Sequence, residues 1–165
     1  MTGALAAGLV AMAARFSDAR LPGSEGIARQ ADELRTRAAG LADQDAAAFR
    51  EVLAAYREPK DADGRERHRR IAAALQTAAR VPLEIAEIAA QVAGLAEAVA
   101  AGGNPNLRGD TVAAAHLADA SARSAAALVH INVRMGGLPG ELSRRAAAAV
   151  ASAQVAAGRV GAAAP

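Results

Sequence analysis

Cysteine and tryptophan are absent from this 165-residue chain, lysine occurs once, as Lys60, and the aromatic residues are Tyr56, Phe16 and Phe49. Without cysteine there is no disulfide framework and no cysteine-ligated zinc, and the composition suits a reducing compartment, so a cytoplasmic location is expected. So few aromatics leave no stacking platform for single-stranded nucleic acid, and no DNA- or RNA-binding motif accompanies the charges; nucleic acid is not an expected partner. Long uncharged apolar runs are missing too. The apolar start from Thr2 to Ala14 has no preceding basic segment and runs into Arg15, and no stretch approaches the roughly 18 uncharged residues that cross a bilayer, so neither a signal peptide nor a membrane span is expected. The net charge of +2 selects no partner.

What the chain has in abundance is alanine, roughly 30% of its residues, the strongest helix former. The expectation is an all-α fold, a multihelical bundle of about five helices, some interrupted, in a single domain covering residues 1–165. Alanine-lined helices approach closely but bury little area per residue, so a lone chain would have a thin core. A homodimer is therefore expected.

Helix signals place the elements. A first helix is predicted over Thr2 to Ser17, stopped by Leu21-Pro22-Gly23-Ser24. The second, Ser24 to Arg57, carries an apolar seam through Ile27, Ala31, Leu34, Ala38, Leu41, Phe49, Val52 and Tyr56, in steps of three and four. Asp45 occupies that seam. An acid there is costly to bury without a partner, so it reads either as a functional carboxylate or as a partly exposed group near a helix crossing.

A third helix opens with the basic run Arg65-Glu66-Arg67-His68-Arg69-Arg70, either a solvated face or a holder of an anionic group. Its seam continues from Ile71 to Val99 and contains Pro82, which removes an amide donor and clashes with the preceding turn. A bend near Thr77 to Arg80 is expected, either as a kink or interruption within one helix or as two consecutive helices, Ile71 to Arg80 and Pro82 to Ala101.

The stretch Gly102-Gly103-Asn104-Pro105-Asn106-Leu107-Arg108-Gly109-Asp110 then reads as a helix stop, an Asn-Pro turn and a cap, with Asp110 capping a helix over Thr111 to Met135. His116 and His130 share a face of that helix about 21 Å apart, too far to hold one ion, and no other set has metal-ligand spacing. No metal is expected. A last helix is predicted over Glu141 to Arg159.

Three blocks resemble one family, the formiminotetrahydrofolate cyclodeaminases and methenyltetrahydrofolate cyclohydrolases. Leu41-Ala42-Asp43-Gln44-Asp45-Ala46-Ala47-Ala48-Phe49, with Ala54-Ala55-Tyr56-Arg57-Glu58-Pro59-Lys60, is similar to the family's "A-D-x-D-x-x-A-F" and "A-Y-x-x-P-K" segments. Ala78-Ala79-Arg80-Val81-Pro82-Leu83 resembles its "A-x-x-V-P-L" helix break. Gly103-Asn104-Pro105-Asn106 through Asp110, Arg123-Ser124-Ala125-Ala126 and Asn132 resembles its "G-N-x-N", Asp and "R-x-A-A-L-N-V-x-I-N" pattern, with Leu128 where that pattern has asparagine. The likeness begins inside the family's first alanine-rich helix.

The resemblance implies a dimeric helical bundle with a folate site near the subunit interface, and chemistry on a one-carbon unit held between N5 and N10 of a tetrahydrofolate derivative, which is the substrate. It assigns proton transfer and charge stabilisation to Asp45 and Asp110. Asn104, Asn106, Asn132 and Tyr56 would contact the folate, and Lys60 and Arg123 would hold its glutamyl carboxylates. Two other classes suit the same bundle: a relative repurposed for another cyclisation or hydrolysis in specialised metabolism, and a non-catalytic helical interaction protein.

Overall fold

The computed structural model describes residues 2–59 and 64–162. Within them the chain is helical: α1 (Thr2–Arg15), α2 (Ser24–Arg57), α3 (Arg65–Gly102), α4 (Arg108–Gly136) and α5 (Glu141–Ala162), with a 3-10 turn, Pro105–Leu107, leading into α4. Five helices in an all-α bundle are what the alanine seams predicted. The central element is α3, against which every other helix packs.

The main core joins all five helices through small side chains: Ala6, Ala7 and Val10 of α1, Leu34 of α2, Ile88 and Val92 of α3, Ala114 and Ala118 of α4, Ala153 and Val160 of α5. Small contacts let helix axes come close. By length and apolar composition α3 is also the one described helix able to cross a membrane, which the sequence did not lead us to expect. Its apolar side chains are spent on the core, where Ile88, Ala89, Val92, Ala93 and Ala96 are fully or almost fully buried.

The two-helix form does not occur, since α3 runs from Arg65 to Gly102 with Pro82 inside it. Proline removes the amide that would bond the carbonyl four residues earlier, which is that of Ala78. In the fold, Asn132 on α4 donates its side-chain amide to the Ala78 carbonyl oxygen at 2.9 Å. A neighbouring helix thus supplies the donor that proline took away.

The Asn-Pro loop docks on the end of α1. Its Asn104 amide donates to Ser17 Oγ at 2.9 Å, and the Asn104 side chain donates to the Phe16 carbonyl while accepting from the Asn106 amide. Gly103 is required by closeness, because a Cβ there would meet the Val99 oxygen at 2.5 Å and Ser17 Oγ at 2.8 Å. Asp110 is not the cap of α4, as was expected: the 3-10 turn starts the helix three residues earlier, so Asp110 lies in its first turn. A carboxylate still opposes the helix dipole favourably there.

Candidate functional site: a half-open groove between α2 and α4

The 14 residues of α1 pack against both α2 and α4. Its C-terminal end meets the Asn104 loop, and its first residues reach Ser121 and share a cavity of about 200 Å³ with Ile85, Ser124 and Leu128. On α4 the stripe that begins at Ser121 continues through Leu128, Asn132 and Met135, spaced by seven, four and three residues. The α2 wall extends the stripe of Arg35, which touches α1 at Gly8, through Ala42, Asp45, Phe49, Leu53 and Tyr56.

Two contacts set the register along α3. Arg37 of α2 pairs with Glu84 at 2.5 Å, and Val52 and Ala55 of α2 share a small core with Ile71 and Leu75, so α2 runs antiparallel to α3. Eight residues beyond Arg37, Asp45 therefore lies within about one turn of Ala78, the residue that Asn132 contacts from the other side. Asp45 on α2 and Asn132 on α4 thus stand at one level along α3, on the two stripes that frame the candidate groove.

Both walls are apolar and open: Phe49 is 58% exposed, Tyr56 40%, Leu128 46% and Met135 54%. Asp45 is half-buried and has no ion-pair or hydrogen-bond partner among the described residues. The seam reading singled out this acid, and the fold leaves its carboxylate free rather than neutralised. Phe49, Leu128 and Met135 were not expected in a site. Its place in the seam of α2 and at the end of the family-like block Leu41 to Phe49 was the sequence signal that pointed to Phe49.

The structure does not gather all the predicted residues. Asn104, Asn106 and Asp110 lie at the other end of α3, about 37 Å from the level of Asp45 at 1.5 Å per residue. Within one chain the loop and the Asp45 groove are separate. The Asn104 side chain is already occupied by loop bonds, whereas Asn106 is exposed and Asp110 half-buried. Arg123 is on the opposite flank of α4 from Asn132, where it pairs with Asp119 at 2.9 Å and lines a cavity of about 350 Å³ with His130 and Gln154. It cannot reach the groove of its own chain. Lys60 lies outside the described residues.

One buried charge stands outside the groove. Asp119 is nine-tenths buried, and one of its carboxylate oxygens has no partner while the other holds Arg123. Holding an exposed arginine at one rotamer is what such a half-used carboxylate does.

Similarity to known proteins extends over most of the chain. Residues 1–136 match the family model described as formiminotransferase-cyclodeaminase. The chain is 36% identical over 110 residues to the methenyltetrahydrofolate cyclohydrolase of Methylorubrum extorquens, an alignment covering 66% of this chain and 53% of that protein. The chain thus spans about half the length of this curated relative. Its fold is similar to that of formiminotetrahydrofolate cyclodeaminase from Thermotoga maritima, with a TM-score of 0.81 and 25% identity over 98% of this chain and 82% of that one.

Proposed function

Because this chain belongs to the formiminotransferase-cyclodeaminase family, we propose that it opens or closes a one-carbon bridge between N5 and N10 of tetrahydrofolate, as a methenyltetrahydrofolate cyclohydrolase or a formimidoyltetrahydrofolate cyclodeaminase. The observation that carries the reading is the unpaired Asp45 carboxylate in an apolar groove. Both reactions pass through a tetrahedral carbon next to two nitrogens, and in both a positive amidinium is made or consumed. A carboxylate without a cation partner is complementary to that charge and can carry the proton.

In the hydrolytic direction, water attacks the bridging carbon and Asp45 accepts its proton. The carbon then carries a hydroxyl, the bond to N5 breaks as that nitrogen is protonated, and the formyl group stays on N10. In the deaminating direction, N10 attacks the formimino carbon and the amino group, protonated, leaves as ammonia. Asn132 bonds the Ala78 carbonyl with its amide nitrogen, which leaves its oxygen to accept from a ring N–H.

The reading includes a second copy of the chain. Apolar walls as open as those of the groove, together with Ile131 and Leu53, suit burial against another protein surface. Asn106, Asp110 and Arg123 enter the site only if that copy supplies them, since α3 and α4 hold them away from Asp45 in their own chain.

The test follows the absorbance of 5,10-methenyltetrahydrofolate and ammonia release from 5-formiminotetrahydrofolate with purified protein. One of the two reactions should be accelerated, and Asp45→Asn should remove at least 100-fold of the gain, roughly the usual size of a general acid–base contribution. Rates equal to buffer in both assays would reject the reading.

A further inference from the structure

Of the three aromatic residues in the chain, two stand on one face of α2, Phe49 58% and Tyr56 40% exposed. Phe49 follows Asp45 by one helical turn, and Tyr56 follows Phe49 by two. Phe16 is as exposed as Phe49, so what distinguishes Phe49 is the unpaired carboxylate one turn before it on the same face. We infer that Phe49 is the stacking face for the flat, positively charged ring system of the substrate, which places the amidinium carbon against the Asp45 carboxylate one turn away.

Three features of the groove favour a planar cation over any other occupant. An aromatic face attracts a cation through its quadrupole as well as by contact area. The single carboxylate on that stripe has no positive partner among the described residues, so it complements a cation and repels an anion. On the α4 stripe that carries Asn132, Leu128 and Met135 are exposed, one branched and one flexible thioether chain of the kind that closes over a ring without demanding a fixed shape. The inference deepens the folate reading and rests on it: it names the residue that sets affinity for the ring system, where Asp45 sets the rate.

The absence of tryptophan makes a direct test available. Phe49→Trp places one indole in the whole protein, and titration with 5,10-methenyltetrahydrofolate should quench its emission saturably. Phe49→Ala should raise KM at least tenfold with a smaller change in kcat, while Phe49→Trp keeps KM within a few-fold of the parent. Phe16→Ala, which removes a comparably exposed ring beyond the far end of α1, is the control and should change neither constant. Sedimentation of each variant accompanies the kinetics. Turnover by the parent with unchanged KM in Phe49→Ala and no change in indole emission from Phe49→Trp would overturn the stacking role alone. A Phe49→Ala protein that dissociates to monomers, with KM unchanged at protein concentrations that keep it paired, would assign the ring to subunit contact instead. No turnover and no quenching in any variant would reject this inference together with the folate reading.

Discussion

Asn132 and Pro82 act as one unit across the contact between α3 and α4. The carbonyl of Ala78 loses its helical donor to Pro82 and regains one from Asn132 at 2.9 Å, so neither residue's effect can be understood alone. Removing Asn132 leaves a half-buried carbonyl unsatisfied, at a cost of about 1–3 kcal/mol. In a Pro82→Ala background the backbone amide returns and the same removal should cost less than half as much. Urea unfolding of the four proteins in this double-mutant cycle measures the coupling, and additive losses would show that the bond does not relieve the proline. Pattern alone identified Pro82 as a disturbance and Asn132 as a residue of interest. That the second answers the first required their meeting in space, 50 residues apart in sequence.

At the level of elements, the bundle has a strong half and a weak half. Where α1 lies between α2 and α4, all five helices share one core. The second half of α2 is held on α3 by Ala48, Val52 and Ala55 against Ile71, Leu75 and Ala78, a contact of few and mostly small side chains. Arg67 adds bonds to the Tyr56 and Glu58 carbonyls, at 2.7 and 3.0 Å, across the turn between the two helices. Amides of residues 48–57 should therefore exchange with solvent at least tenfold faster than those of residues 88–99, which lie at the centre of the main core. Hydrogen exchange by mass spectrometry reads this directly, and equal protection would mean that the two halves open together. The weak half carries Asp45 and Phe49, which places the candidate site on the part of the molecule most able to adjust to a ligand.

For the whole molecule, the balance between a thin alanine core and open apolar walls bears on assembly. Leu128, Ile131 and Met135 on α4 are about half exposed, as is Phe49 on α2, and surface of that kind is more often covered than left wet. If a second copy covers it, Leu128→Asp should shift the protein from dimer to monomer without unfolding it, because the side chain carries little of the core of its own chain. Light scattering on a sizing column together with a helical circular dichroism signal separates dissociation from unfolding. A parent that is monomeric at micromolar concentration would reject assembly through this face.

Helix content, the central seam of α3 and the stop at Gly103 were all legible in the sequence, because each follows from short-range rules: propensity, a period of three to four, and a turn residue. Comparison with the Asn104 loop shows where such rules stop. Asn104, Asn106 and Asp110 carry the same motif that marked the family, yet in one chain they lie at the opposite end of α3 from Asp45, and Arg123 lies on the far flank of α4. Sequence spacing fixes which side of its own helix a residue occupies, but not which helix comes to lie opposite. That was decided by tertiary packing, which sets α3 against every other helix and α1 against both α2 and α4. Which side chains come to lie opposite one another follows from that packing, and no local pattern encodes it.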